Sequence, residues 1–384
     1  MHTPADLLPR PPEEGARLLA RSYLDAAAEA RPRLDDRDDK EALHDFRVAL
    51  RRLRSCLRAY RGELAGSLDD KLAKRLARLA RATGPARDAE VQLEWLRESA
   101  QQGLAAAHRA GLKWLIARLE ERTSEAWHRL GKELARDFDP FESGLRRALS
   151  VYRAEVHLDG GPRPTFAGAT AAVLERQRGR LGGRLSAVRG PGDVARAHRA
   201  RIEAKRLRYL LDPLAKELPG AEKVIKRLKG LQDLLGELHD AHVLEAEIEQ
   251  ALGEAAALRV TTLFELSLAS TPDELTLRAE RRRPREAGLL ALARRNRARR
   301  DQLFAELAAH WLADRAAPFL AEVEALEGAL RAAGGGSAAG GEGAAPGAAR
   351  LKADSSSQAP QPAAHSDAAG EAAAPVEAGA AKPA

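Results

Sequence analysis

The sequence predicts an all-α protein, and three observations support this fold class. Alanine, leucine, arginine and glutamate dominate the composition, and aromatic residues make up only 4%; the dominant residues lose little side-chain freedom in a helix. Apolar residues recur at helical spacing over long segments, whereas the alternation typical of strands is almost absent. Glycine and proline residues fall between these segments, where turns would lie.

The periodic segments form two successive sets of predicted helices. The first set lies at 13–31, 36–60, 64–82, 86–106, 108–136 and 140–157. The second set lies at 165–187, 191–217, 219–236, 239–258, 273–284, 286–315 and 317–331. Turns are predicted at Gly62, Gly84-Pro85, Asp139-Pro140, Gly160 to Pro162, Gly190-Pro191, Pro219-Gly220 and Gly236.

The cluster from Asp159 to Pro164 is the best candidate boundary between two halves. This division predicts an N-terminal extension (1–12), a first helical bundle (13–160), a second helical bundle (161–331) and a tail (332–384). The tail consists of Ala, Gly, Pro and Ser with isolated charges. It lacks the large apolar groups that offset the entropy of ordering, and we expect it to be disordered.

Cysteine content, the N-terminal sequence and apolar segment length indicate the cellular compartment of the protein. Cys56 is the only cysteine, which excludes an intramolecular disulfide, and we expect it to be a small buried helix residue instead of a reactive thiol. The N-terminus lacks the pattern of a secretory signal, and no stretch approaches the roughly 18 apolar residues of a membrane span. These features predict a cytoplasmic protein without a membrane partner, and the net charge of +7 favours anionic partners.

An internal repeat is the most informative feature of the chain. The block from His44 to Arg54 recurs from His198 to Arg208, with His, Arg, Arg, Leu and Arg at matching positions. Further matches follow in the same order and link Lys71, Lys74, Arg75, Gly84 and Asp88 to Lys223, Lys226, Arg227, Gly236 and Asp240. Several matched blocks in order indicate duplication.

Helical geometry gathers the charged residues of the repeat onto single faces. Most of the bases that follow His44 fall within about 80° of arc, with Phe46 and Leu50 on the opposite side. We call this the first basic face; it comprises His44, Arg47, Arg51, Arg52 and Arg54, and Arg58 falls on the same arc. The second basic face comprises His198, Arg201, Lys205, Arg206 and Arg208, joined by Tyr209.

The helix that follows in each half also gathers basic residues on one face. The third basic face comprises Lys71, Lys74, Arg75 and Arg78, and the fourth comprises Lys223, Lys226 and Arg227. Ordinary surface helices mix charges of both signs, because opposite charges four residues apart stabilise the helix by about 0.2–0.5 kcal/mol per pair. Here acidic residues avoid the densest arcs. An anion-binding site is therefore favoured over a merely solvated surface.

The residue types on these faces suit a phosphate polymer. A guanidinium group can bind phosphate oxygens through two parallel hydrogen bonds, and His44 and His198 can add a pH-dependent donor. A lone histidine is more often structural, but these two occupy matched positions. Five other histidines lack a repeated context, namely His108, His128, His157, His310 and His365, whereas His239 and His242 lie beside the second glycine turn.

Searches for enzymatic and metal-binding motifs are negative. The chain has no zinc-ligand spacing, no phosphate-binding glycine loop that ends in Lys-Ser/Thr and no His-Glu-x-x-His motif. Asp88 and Asp240 could be a catalytic carboxylate pair, but they more readily cap helices or pair with arginines. The sequence therefore predicts a protein without catalytic residues, bound metal or cofactor.

These motifs resemble the CHAD family, the conserved-histidine α-helical domain. The resemblance rests on the two repeat blocks, on Gly84-Pro85-Ala86-Arg87-Asp88 and on the segment Leu231 to Asp240, and it spans roughly 13–331. It implies two four-helix bundles related by a pseudo-twofold axis, with basic faces that line a central groove or pore. His239 stands where the family more often has asparagine, and the second half carries additional sequence around 259–285.

The resemblance also implies binding of inorganic polyphosphate and association with polyphosphate granules. All four basic faces are expected to converge on this polymer. The alternative is a nucleic-acid-binding protein that contacts the phosphate backbone, although single-strand binders usually add aromatic platforms for the bases. A phosphohydrolase that uses His44 or His198 is the third reading. The sequence does not indicate an oligomeric state.

Overall fold

A computed structural model describes residues 4–39, 41–66, 68–101, 108–151, 163–268, 274–281 and 284–335. Every regular element in these ranges is a helix, which confirms the all-α class. The α-helices are α1 (Pro12–Arg33), α2 (Ala42–Ala59), α3 (Asp70–Ala82), α4 (Gly84–Gln101), α5 (Arg109–Ser150), α6 (Phe166–Ser186), α7 (Val194–Leu211), α8 (Ala221–Leu268), α9 (Glu274–Arg281), α10 (Pro284–Trp311) and α11 (Ala317–Gly335). Short 3-10 turns follow α7 at Asp212–Leu214 and α10 at Ala313–Ala316.

The turn predicted at Asp139-Pro140 is wrong, because α5 continues through it. A proline inside a helix removes one backbone hydrogen bond and costs about 3 kcal/mol. Phe138 and Phe141 flank Pro140 and are fully buried, and burial of each such side chain contributes about 1.5–3 kcal/mol. The free energy gained by burying these two side chains therefore outweighs the cost of placing Pro140 inside the helix.

The turn predicted at Gly236 is also wrong, since α8 runs through it without a break. A glycine inside a helix costs about 1 kcal/mol relative to alanine. Leu234, Leu235 and Leu238 surround Gly236 and are buried, so their packing maintains the helix. His239 and Asp240 consequently lie in the middle of a helix and not beside a turn.

Several helices begin or end a few residues away from their predicted boundaries. α2 begins at Ala42 instead of 36, and α3 begins at Asp70 instead of 64. The start of α3 is fixed by Asp69, whose Oδ1 accepts a hydrogen bond from the Leu72 backbone N–H at 2.8 Å, as is typical of an N-cap. α11 continues to Gly335, so the first residues of the predicted tail are helical, and the rest of that tail lies outside the described residues.

One large hydrophobic core draws on helices from both sequence halves. Phe46 of α2 packs against Phe138 of α5, with ring centroids 5.4 Å apart. Tyr60, which ends α2, packs against Phe166 at the start of α6 at 4.8 Å, and its hydroxyl shares a 2.8 Å hydrogen bond with Thr170. The described residues all belong to one compact unit, and the division into bundles at 13–160 and 161–331 stays a prediction.

Cys56 lies within this core. Its side chain is buried, as predicted, and the burial raises the pKa of its thiol. The thiol lies 3.7 Å from the Ala16 carbonyl oxygen, within reach of a weak hydrogen bond.

A second, smaller core lies among α4, α5, α8 and α10. Leu96, Leu115 and Leu289 are fully buried there. Gly111 of α5 and Gly288 of α10 let these two helices cross at short distance, since a Cβ atom on Gly111 would lie 2.5 Å from the Arg285 carbonyl oxygen. Among the described helices, none has the length and hydropathy needed to cross a bilayer.

Candidate anion-binding site

Four helices bring charged side chains together where the first and second basic faces meet. We call this group the central cluster; it comprises Arg47 and Arg51 of α2, Asp88 of α4, His198, Arg201 and Lys205 of α7, and His239 and Asp240 of α8. Asp88 is exposed and the other members are partly buried. The cluster therefore combines bases from both sequence halves with only two carboxylates.

The packing of α2 and α7 explains this meeting. In α2, Phe46, Leu50 and Leu53 are buried in the large core, which turns the first basic face away from it. α7 buries small residues, including Ala200 and Ala204, and small side chains allow neighbouring helices to approach closely. α2 and α7 thereby bring members of the first and second basic faces close enough to influence one another electrostatically.

Burial and mutual repulsion disfavour charge in the central cluster. Burial, followed by the Arg201 and Arg51 guanidinium groups, lowers the pKa of Lys205 to about 6. Burial, followed by Arg51, lowers the pKa of Arg47 to about 10, so Arg47 remains charged at neutral pH. A polyanion would relieve both effects, because a negative charge favours the protonated forms.

Two histidines stack inside the central cluster. The rings of His198 and His239 lie 4.9 Å apart between centroids, tilted by 43°. Burial and then Arg201 lower the pKa of both rings, that of His239 to about 4. His44 lies exposed at the rim, where partial burial, Arg87 and Arg51 lower its pKa. All three imidazoles are therefore predominantly neutral at neutral pH.

Several buried nitrogen atoms of the central cluster have no hydrogen-bond partner among the residues that the structure describes. They are Nε of Arg51, Nε of Arg201, and Nδ1 of His198 and of His239. Buried polar atoms in native proteins are nearly always paired, and leaving one unpaired costs about 1–3 kcal/mol. Unpaired nitrogens on four cationic or basic side chains from α2, α7 and α8 are suited to an anion with several oxygens.

Asp88 and Asp240 reduce the positive charge of the central cluster but do not cancel it. Burial raises the pKa of Asp240, although Arg201 opposes the shift. In the described residues, neither Asp88 nor Asp240 has a basic nitrogen within 4.0 Å, and both lie inside helices. The predicted helix-capping role is therefore wrong for Asp240, which lies deep within α8, and Asp88 lies past the first turn of α4.

Arg47 is anchored to the junction between α3 and α4. Its Nη1 donates hydrogen bonds to the Thr83 carbonyl oxygen and, at 3.1 Å, to the Thr83 hydroxyl. Thr83 is buried and in turn donates to the Ala80 carbonyl oxygen at 2.9 Å. This anchor orients the guanidinium group of Arg47 toward the cluster.

Arg52 and Arg208 are held by partners inside the protein. Both donate to Asp212 Oδ2 at 3.2 Å, and Arg208 also donates to Gln232 at 2.9 Å. Tyr209 is buried beneath the two guanidinium groups, which lie 5.9 and 4.9 Å from its ring centroid. Tyr209 thus lies beside arginines of the first and second basic faces, but its ring is buried and supports these arginines from below.

The third and fourth basic faces have ion-pair partners outside the central cluster. Among the described contacts, Arg78 pairs with Asp137 at 3.1 Å, whereas Lys223 and Arg227 share Glu322 at 2.9 and 2.7 Å. The remaining members of both faces are exposed; they are Lys71, Lys74, Arg75 and Lys226. No described hydrogen bond or ion pair joins either face to the central cluster, so the contacts support convergence only for the first and second faces.

Sequence reasoning missed one basic residue beside the site. Arg87 of α4 lies close enough to Arg47 and His44 to influence the pKa of each, and it belongs to the Gly84–Asp88 motif. Arg58 lies on the arc of the first basic face, outside the central cluster. Within the described residues, no group of three or more His, Cys, Asp or Glu side chains could hold a metal ion.

The helices thus define a protein with a partly buried cationic cluster shared by two repeated sequence blocks. Comparison with known proteins identifies its family. The CHAD domain model matches residues 18–249, which is more than half of the chain, and the chain therefore belongs to the CHAD family. This family is associated with polyphosphate, and its members are generally non-catalytic binding proteins.

Two solved structures are similar to this chain. The CHAD domain from the plant Ricinus communis aligns with a TM-score of 0.54 at 21% identity, covering 81% of this chain and 96% of that one. PptA from Streptomyces chartreusis aligns with a TM-score of 0.45 at 16% identity, covering 84% of this chain and 99% of that one. No curated protein matches the chain. The first similarity supports the shared fold.

Proposed function

We propose that this protein binds inorganic polyphosphate without chemical conversion, and that the central cluster is the principal contact. The observation that carries the proposal is the set of unpaired, buried nitrogens on Arg51, Arg201, His198 and His239. Phosphate oxygens would satisfy these donors, and the charge of the polymer would stabilise the protonated form of Lys205. Such binding would also hold the protein on polyphosphate granules.

The binding would be multivalent and electrostatic. Each phosphate contact releases counterions, so the affinity should fall steeply and linearly in a plot of log K against log salt. A guanidinium group remains charged even when partly buried, so Arg47, Arg51 and Arg201 provide a constant positive charge. Lys205 and the histidines add charge only as the polymer binds.

Titration of long-chain polyphosphate at increasing salt tests the proposal. The wild type should bind at low salt, and combined Arg51→Gln and Arg201→Gln substitutions should weaken binding at least about tenfold, since charged hydrogen bonds contribute about 1.5–3 kcal/mol each. Combined Arg109→Gln and Lys113→Gln substitutions remove the same charge from exposed positions at the start of α5 and should leave affinity unchanged. If the wild type does not bind long-chain polyphosphate even at low salt, the proposal is wrong.

Competition with a nucleic acid distinguishes polyphosphate binding from the alternative function, nucleic-acid binding. Single-stranded nucleic acid usually binds on aromatic stacking platforms, and Tyr209, the aromatic residue predicted on a basic face, is buried. Polyphosphate should therefore displace a bound single-stranded DNA oligomer at a low phosphate concentration. The DNA oligomer should displace bound polyphosphate only at a far higher phosphate concentration. Equal displacement in both directions would favour a general backbone binder. Incubation of polyphosphate with the protein, followed by a phosphate-release assay, should give no release.

A further inference from the structure

A basic groove lies between the C-terminal half of α2 and α3, outside the central cluster. We call it the α2–α3 groove; it has a volume of about 490 Å³, and Arg54, Arg58, Arg61 and Arg81 line it. Apolar groups form its base, among them Leu57 and Leu76, which are buried. Four guanidinium groups around one concave surface form a strongly charged patch.

The acidic residues of the α2–α3 groove are already engaged. Asp69 accepts the backbone N–H of Leu72 as the cap of α3, and Asp70 pairs with Arg61 at 3.2 Å. In the described residues, no carboxylate oxygen lies within 4.0 Å of a basic nitrogen of Arg54, Arg58 or Arg81. The groove therefore retains three guanidinium groups without a carboxylate partner, and its four arginines outnumber its two aspartates.

Neighbouring arginines increase this excess of charge. Burial, followed by Arg58 and Arg81, lowers the pKa of Arg54. Arg206 of α7 pairs with Glu203 at 2.6 Å, yet Arg58, Arg180 and Arg54 are all close enough to lower its pKa. Guanidinium groups from α2, α3, α6 and α7 thus gather at one place, an arrangement that a bound polyanion would stabilise.

The α2–α3 groove continues the path of the central cluster along α2. Arg47 and Arg51 belong to the cluster, whereas Arg54 and Arg58 line the groove. These four residues follow one another at spacings of three or four positions, which places them in a row on one helix face. At 1.5 Å per residue, the row extends for about 16 Å.

We propose that the α2–α3 groove is a second anion subsite, which binds the continuation of a polyphosphate chain held in the central cluster. This inference rests on the proposed function and adds a length requirement to it. A short phosphate chain occupies the central cluster alone, whereas a long chain also reaches Arg54, Arg58 and Arg81. The groove thereby makes affinity depend on polymer length.

Combined Arg58→Gln and Arg81→Gln substitutions test the subsite. Both side chains are exposed, so helicity by circular dichroism should be unchanged. Affinity for long-chain polyphosphate should fall about tenfold, with a shallower salt dependence because fewer counterions are released. Affinity for tripolyphosphate should stay the same. The Arg109→Gln and Lys113→Gln variant serves as the matched control and should behave like the wild type with both ligands.

The outcomes distinguish the subsite from the proposed function. If the wild type binds long-chain polyphosphate and the groove variant binds it equally well, the subsite is overturned and the proposed function stands. Equal losses for tripolyphosphate and for the long chain also overturn it, because the groove would then not be a separate extension. If the wild type binds neither ligand, the proposed function itself fails.

Discussion

Lys205 is a central-cluster residue whose charge depends strongly on its surroundings. It faces Arg201 on its own helix, Arg51 and Arg47 on α2, and Asp240 on α8. With a pKa of about 6, it is mostly neutral at pH 7 when no anion is bound. A polyanion favours the charged amine, so binding should be linked to uptake of a proton.

Lowering the pH from about 8 to about 6 should therefore strengthen polyphosphate binding several-fold at constant salt. The sign follows from linkage: the bound protein holds more protons than the free protein, so a higher proton concentration favours the complex. Calorimetry in buffers of different ionisation enthalpy measures the proton uptake directly. Release of protons on binding would contradict this prediction.

Lys205→Met is the informative control for that prediction. It should reduce both the affinity and the proton uptake, while His198 and His239 retain their smaller contribution at lower pH. Between pH 6 and pH 10 the unfolded chain holds a proton on Lys205 that the folded chain largely lacks, so this lysine opposes folding there. Without polymer, the variant should melt at a temperature a few degrees higher.

Residues on the basic faces were predictable because helical periodicity fixes which side chains share a face. Their individual roles were not. Arg51 and Arg52 are adjacent in sequence, yet Arg51 lies in the central cluster while Arg52 pairs with Asp212. That pairing depends on how α2 packs against the end of α7, and no local pattern encodes it.

At the scale of whole helices, glycines illustrate how context decides the effect of one residue. Gly230 lies exposed inside α8, and an added Cβ atom would meet nothing within 4 Å. Gly111 lies at the crossing of α5 and α10, where an added Cβ atom would approach the Leu289 backbone nitrogen to 2.7 Å. The same substitution should therefore have opposite consequences at the two positions.

Gly230→Ala should raise the free energy of unfolding by about 0.5–1 kcal/mol, because alanine restricts the unfolded chain and favours the helix. Gly111→Ala should lower it by about 1–3 kcal/mol through overpacking at the crossing. Urea denaturation measures both values, and each variant is the control for the other. Changes of the same sign would contradict this interpretation of the crossing.

Helix positions were largely predictable, whereas helix continuity was not. Local signals at Asp139-Pro140 and Gly236 indicate turns, and each is overruled by leucines or phenylalanines that the tertiary structure buries on both sides. Residue propensities amount to a few kcal/mol and are known from the sequence. The burial that competes with them depends on contacts between distant segments.

At the scale of the whole molecule, the two sequence halves supply one cluster. Arg51 and Arg201 come from different repeat blocks, yet Arg51 adds to the effect of burial in lowering the pKa of Arg201. The internal repeat predicts matching basic faces, but their meeting followed only from the family resemblance. The single large core across both halves was likewise not visible in the sequence.

In the proposed function Arg51 and Arg201 act on the same ligand, and their contributions to binding should therefore be coupled. Arg51→Gln and Arg201→Gln should each weaken polyphosphate binding, and the loss in the double variant should differ from the product of the single losses by at least about threefold. Arg51→Gln combined with Lys223→Gln is the control cycle, since Lys223 pairs with Glu322 away from the cluster. A multiplicative result for Arg51 with Arg201 would argue against one shared site.

Asp212 accepts hydrogen bonds from Arg52 and Arg208, one from each repeat block, and Tyr60 and Thr170 form a similar link in the core. These links have an evolutionary consequence. A recombination event that deleted the first repeat would remove Tyr60 from Thr170 and Arg52 from Asp212, and one that deleted the second would remove Thr170 from Tyr60 and Asp212 from Arg52. We therefore expect the two repeats to be inherited together, and Arg52 and Asp212 to covary among relatives.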